Sequence, residues 1–206
     1  MSFALHNAQR TDLFPELAKI ATHYLSLDTA SPETALGWYT KNPYCLISAS
    51  HEGRAWGYAD FLPLTPKAQR LIEERILKEE DITPDHILAP EEIRQCRALY
   101  FAGMAVRDHH NVGNARCVAA LLSGIFHMLE NIYAEAPLEF LFANPTTYTG
   151  NRLIMRLGFT PISYRKIKMG GMDLYMLVLT EERRAYFKNL QQRYARFVSS
   201  MDWMTS

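Results

Sequence analysis

The residues best suited to hold a charged ligand lie together, at Val106-Arg107-Asp108-His109-His110-Asn111-Val112-Gly113-Asn114-Ala115. This run sits between an apolar strand and a long helical pattern. The first turn of a helix carries backbone N–H groups without internal partners, and the macrodipole adds about half a positive charge there. Gly113 and Ala115 are small and would let phosphates approach the backbone, so a pyrophosphate fits without lysine or arginine. The same pattern also serves as a plain turn in many folds, and the segment alone does not separate the two. No G-x-G-x-x-G is present, which argues against a dinucleotide fingerprint, and no G-K-[ST] follows the glycine, which argues against a P-loop. His109 and His110 stand beside Asp108, but neighbouring side chains on one loop rarely converge on one ion, so no metal site is expected. Cys117, just inside the helix, reads as a packing residue before a nucleophile.

These residues need elements to hold them. Leu13, Leu17, Ile20, Ala21, Tyr24 and Leu25 recur at helical spacing and predict a helix over 11–28. Ser31-Pro32 starts a second, over 32–41. Residues 44–49 and 55–62 read as a hairpin around His51-Glu52-Gly53-Arg54. Residues 66–80 are helical and 91–96 form a helical turn, so 64–97 reads as a helical insert between strands. Ala98–Val106 is a buried strand, 114–133 a helix, and Leu138–Ala143 a strand that pairs parallel with it by a right-handed crossover. A helix over 148–156 stops at Gly158. Ile162–Met169 and Asp173–Leu179 make a last hairpin, and a helix over 181–199 closes the chain. The order predicts one α/β domain over 1–206, with a mixed, mostly antiparallel sheet of about six strands and an extra C-terminal helix and tail over 181–206.

Composition agrees with a soluble globular protein. The chain has 206 residues, 48% hydrophobic and 21% charged, with a formal net charge of zero. Nothing global favours nucleic acid or an anionic membrane. Three cysteines without close spacing argue against a disulfide framework, and residues 1–10 lack the apolar run of a signal peptide. A reducing cytoplasm is the expected compartment. The last helix places Tyr186, Leu190, Tyr194, Phe197 and Met201 on one stripe, which either packs on the domain or forms a dimer or partner surface.

The segment at 106–115 resembles motif A of the GNAT (N-acetyltransferase) superfamily: a strand ending in Val, a loop, then [QR]-x-x-G-x-[GA]. His110 takes the Gln/Arg position, and Gly113 and Ala115 take the small ones. Asn144 to Phe159, ending in Leu157-Gly158-Phe159, resembles motif B. Gly57-Tyr58-Ala59-Asp60-Phe61-Leu62-Pro63-Leu64 is similar to a strand of bacterial members that carry a helical insert. The resemblance covers roughly residues 10–180.

It implies that acetyl-CoA lies between strands 98–106 and 138–143. Met104, Ala105 and Val106 would pair with its pantetheine arm. Backbone amides of Asn111, Val112, Gly113, Asn114, Ala115 and Arg116, with the His110 side chain, would hold the pyrophosphate. Asn144, Thr149 and Asn151 would flank the arm. An amine acceptor would attack the thioester directly. Ile154 stands at the position of the usual tyrosine acid, so Tyr148 is the nearest substitute. Asp60 is the candidate base, although its strand pattern also reads as an outward face. Glu139 is a weaker candidate. The acceptor stays open among a small amine, an amino acid, a peptide N-terminus and a protein lysine. A non-catalytic module that binds coenzyme A or a partner is the alternative.

Overall fold

Capping residues set where the helices begin. Helix α2 (Pro32–Lys41) starts where the Ser31 hydroxyl accepts the Thr34 N–H and Pro32 needs no donor of its own. Thr65 does the same for α3 (Pro66–Glu73), Thr147 for α5 (Tyr148–Leu157) and Thr180 for α6 (Glu181–Tyr194). Helix α5 ends on Gly158, whose φ of 96° is the left-handed conformation that glycine adopts freely. The other two helices are α1 (Phe14–Tyr24) and α4 (Val112–Asn131). The computed structural model describes residues 1–24, 30–107, 112–162 and 174–202.

The strands are β1 (Phe3–His6), β2 (Leu46–His51), β3 (Arg54–Pro63), β4 (Ala98–Val106), β5 (Phe140–Ala143), β6 (Thr160–Pro161), β7 (Tyr175–Val178) and β8 (Val198–Met201). They form one sheet in the order β6-β7-β5-β4-β3-β2-β1-β8. β4 and β5 are parallel, as expected of the crossover, and β1 with β8 is the other parallel pair.

The sheet thus has eight strands among the described residues, where the sequence predicted about six. The additions are β1, four residues long and too short to show alternation, and β8, which the pattern assigned to the last helix. That helix stops at Tyr194, a 3₁₀ turn spans Ala195–Phe197, and the chain then runs extended beside β1. The helix predicted over 66–80 is also shorter. Arg75 takes a φ of 57°, and the N–H groups of Ile76 and Leu77 turn back to the Leu71 carbonyl, so the helical ladder cannot continue. Helix α1 begins at Phe14, after a 3₁₀ turn over Thr11–Leu13. Residues 25–28, assigned to it by pattern, lie outside the described residues, as do 163–169 of the predicted last hairpin. The pairing seen there is Thr160–Pro161 with β7.

The sheet divides the core. One face of β1–β4 carries Phe3, Leu5, Ile47, Ala59, Phe61 and Leu99 and packs on α4, α5 and α6. Phe187 of α6 stacks on Phe126 of α4 with ring centroids 4.7 Å apart. The C-terminal stripe therefore lies largely against the domain. Leu190, Tyr194, Phe197 and Met201 are partly buried on the same core, while Tyr186 stays exposed. The other face carries α1, α2 and the segment 64–97. Two hydrogen bonds fasten that segment: Trp38 Nε1 donates to the Ile82 carbonyl at 2.8 Å and Asn42 Nδ2 to the Leu88 carbonyl at 2.9 Å.

Candidate active site

The central feature is a loss of pairing. β4 pairs with β5 only from Ala98↔Phe140 to Phe101↔Ala143. Beyond that point the two strands part, and the β4 edge from Ala102 to Val106 faces a cleft of about 380 Å³. The opposite wall comes from Asn144 to Thr147 and from α5, including Thr149, Arg152 and, in its last turn, Arg156. An unpaired strand edge offers N–H and C=O groups at regular spacing, so an extended chain with amides can add to it as another strand would.

The second feature is a β-bulge at the same place. Asp60 of β3 faces Gly103 of β4, but Phe61 faces Phe101, so Ala102 is an extra residue. The bulge flips the alternation of β4. Phe101 shares a face with Met104 and Val106, and Tyr100 shares the opposite face with Ala105. Ala102 and Gly103 consequently line the cleft on one side and a second cavity, about 710 Å³, on the other. α1, α2 and β3 enclose the second cavity, with Asp60 and Glu79 among its walls.

Asp60 is only 6% exposed. The sequence offered an outward-facing polar residue as one reading, and that is overturned. The face shared by Tyr58, Asp60 and Leu62 is covered by α1, α2 and the segment 64–97. The Tyr39 hydroxyl donates to Asp60 Oδ1 at 2.8 Å. Burial pushes the Asp60 carboxyl up to about 7, and the tyrosine bond offsets part of that rise. Glu79, from the segment 64–97, accepts a hydrogen bond from Tyr100 at 3.2 Å. Burial pushes it up to about 8, with the negative charge of Asp60 adding to the rise.

The other expected site residues separate into groups. Met104, Ala105 and Val106 stand on the cleft edge, with Asn144 and Thr149 opposite. Asn144 Oδ1 and Asn151 Oδ1 are buried without hydrogen-bond partners, as are both amide atoms of Asn114 in the first turn of α4. Ala115 and Arg116 are exposed at that turn. His109, His110 and Asn111 lie outside the described residues, as does the side chain of Val112. Tyr148 is 76% exposed, lies against Arg152, and is not among the cleft-lining residues. Glu139 is engaged by Arg97 at 2.8 Å, away from the bulge. Cys117 is buried, and burial pushes its thiol up to about 12, opposite to a dipole-activated nucleophile.

Gly113 has a packing reason to be small as well. A Cβ there would stand 3.0 Å from the Trp56 ring and 3.3 Å from Met1 Sδ, so the missing side chain lets α4 pack on the sheet. Arg107 is also committed, to Glu16 at 2.9 Å and through its N–H to the Trp56 carbonyl. Sequence reasoning missed Glu79, Tyr39, Arg152 and Arg156. The two arginines stand at i and i+4 on α5, a spacing that places both on one face and was readable. Nothing local marks Glu79, because the fold of 64–97 alone brings it to the cavity.

No protein-family profile matches the sequence, and no curated protein matches it. Solved structures do match. Ard1 from Thermoplasma volcanium superposes with a TM-score of 0.58 at 9% identity, over 88% of this chain and 100% of that one. The polyamine N-acetyltransferase of Drosophila melanogaster, described as forming N-acetylagmatine, gives 0.56 at 12%, over 86% and 100%. A chain of the NatC complex bound to Gag peptide and CoA gives 0.53 at 13%, over 87% and 100%. Identities this low speak for architecture alone, and on that architecture the chain has the α/β fold of the GNAT N-acetyltransferases.

Proposed function

We propose that this chain is an acyl-CoA-dependent N-acyltransferase that moves an acetyl group from acetyl-CoA to an amine. The observation that carries the reading is the bulge. Ala102 and Gly103 form a wall common to two cavities, so a donor in the cleft and an acceptor above Asp60 would meet there.

The cleft suits coenzyme A. The free edge of Met104, Ala105 and Val106 matches the amides of a pantetheine arm, and Asn144, with an orphaned side-chain oxygen, lines the facing wall, while Asn151 is not among the cleft-lining residues. Thr149 flanks the same path. The start of α4, from Val112 to Arg116, suits a pyrophosphate by its place at a helix N-terminus. Arg152 and Arg156 add positive charge on the facing wall. When bound, the thioester supplies an acyl carbon open to attack. Asp60 takes the proton that the attacking amine loses, and a carboxyl with a pKa near 7 suits that exchange at neutral pH. Tyr39 holds the carboxyl in place. The C–S bond breaks and the sulfur leaves as thiolate, with Tyr148 too exposed to serve as a positioned acid.

One observation favours a second reading, a binding module without catalysis: buried Ile154 stands where the resemblance places a tyrosine donor. Calorimetric titration with acetyl-CoA and free coenzyme A, followed by an amine screen, separates the two. Micromolar binding with transfer supports the enzyme. Binding without transfer supports the module, and a well-folded protein that binds neither overturns both.

A further inference from the structure

The acceptor cavity has its own chemistry, and the following rests on the acyltransferase reading. We propose that the cavity selects a hydrophobic primary monoamine carrying no carboxylate or phosphate, its ammonium group seated between Asp60 and Glu79 and its apolar body lying between α1 and α2.

Four observations lead there. First, the cavity has a built polar locus. Asp60 and Glu79 both line it, and each commits one oxygen to a tyrosine hydroxyl, Tyr39 and Tyr100. Among the described residues, no hydrogen bond reaches the second oxygen of either carboxyl. Asp60 is more than nine-tenths buried and lines the cavity. Tyr58 lines the same cavity and lies within the field of both carboxyls, and Glu79 within that of Asp60. An ammonium group has three donors and the right charge for two such oxygens.

Second, no arginine or lysine is among the described residues that line the cavity. A carboxylate or phosphate on the acceptor would enter beside two carboxyls without a counter-charge. Third, the helix starts that border the cavity are largely satisfied. At α2, Ser31 Oγ takes the Thr34 N–H, the Ser31 carbonyl takes the Ala35 N–H and Pro32 has none. At α1, the Phe14 N–H gives to the Thr11 carbonyl and Pro15 has none. Fourth, most of the remaining wall is apolar, with Thr11, Thr22 and Ser31 among the exceptions. Phe14 and Tyr39 present tilted rings with centroids 5.6 Å apart, and Leu17, Ala18 and Ala21 continue the surface along α1. A volume of about 710 Å³ exceeds what a short amine fills. A polyamine or a sugar would leave its further polar groups against carbon.

The test compares three amines at saturating acetyl-CoA: 2-phenylethylamine, its carboxylated counterpart phenylalanine, and putrescine. The expected order of kcat/KM puts 2-phenylethylamine first, with phenylalanine lower by at least ~100-fold, as an unpaired charge in a buried site demands. Glu79→Gln should raise the KM for 2-phenylethylamine by about tenfold while leaving acetyl-CoA affinity unchanged, since Glu79 touches only the acceptor side. Phenylalanine or putrescine ahead of 2-phenylethylamine overturns the proposal while leaving the acyltransferase reading intact. If no amine is acetylated, calorimetric titration with 2-phenylethylamine alone decides. Binding that weakens about tenfold in Glu79→Gln supports the cavity assignment, and absence of binding overturns it. Failure of the acyltransferase reading is seen separately, in the acetyl-CoA titration.

Discussion

In the proposed acyltransferase, Asp60 would have two duties that pull against each other. As a base it must be ionised, and as a buried group it resists ionisation. With its carboxyl pushed up to about 7, kcat/KM should rise with pH through that value and level off above it. Asp60→Asn should lower kcat by about 10²- to 10⁴-fold and leave acetyl-CoA affinity as it was, measured by steady-state rates beside calorimetry. Tyr39→Phe removes the bond that favours the ionised form. The pH profile of that variant should shift upward, a change that a merely structural tyrosine would not cause. The sequence made Asp60 legible as a residue of the right type on the right strand. It did not make its burial legible, because strand alternation marks which residues share a face and not which face other elements cover. Glu79 was not legible at all, nor was the closeness of Gly113 to Trp56.

At the scale of elements, the cleft depends on the first turns of α5. Thr149 is exposed there and lines the cleft, so Thr149→Trp should cost the fold little and weaken coenzyme A binding at least tenfold by calorimetry. Helix α6 is fixed by Phe187, whose ring stacks on Phe126 beneath the sheet. Phe187→Ala should destabilise the fold by about 3 kcal/mol in denaturant unfolding, the usual loss for a deleted core ring. The elements from α1 to α6 were largely legible, since caps such as Ser31 and Thr147 and the stop at Gly158 are local signals. The sheet edges were not. β1 and β8 are each four residues long, and their pairing joins the two ends of the chain, a relation no local pattern records.

For the whole molecule, proton linkage sets how stability follows pH. Asp60 and Glu79 have folded-state values raised to about 7 and about 8, above their ordinary values of 3.8 and 4.5. Between those limits the folded chain holds more protons than the unfolded one, so stability falls as pH rises. The buried imidazoles His6 and His127 are shifted down from 6.5, chiefly by burial, and they oppose this trend only below that pH. From pH 6.5 to 8 the two carboxyls lead among the described residues with resolved shifts. Denaturant midpoints should therefore drop across that window, and the drop should shrink in a double variant carrying Asp60→Asn and Glu79→Gln. The strand β8 closes the sheet beside β1, where His6 contacts Asp202 at 2.6 Å and Ser50 at 2.7 Å. During synthesis β1 is made well before β8. The outer edge of β1 must therefore wait, unpaired and open to other chains, until β8 has been made, and the nascent chain is most vulnerable to edge-on association before that long-range pairing forms.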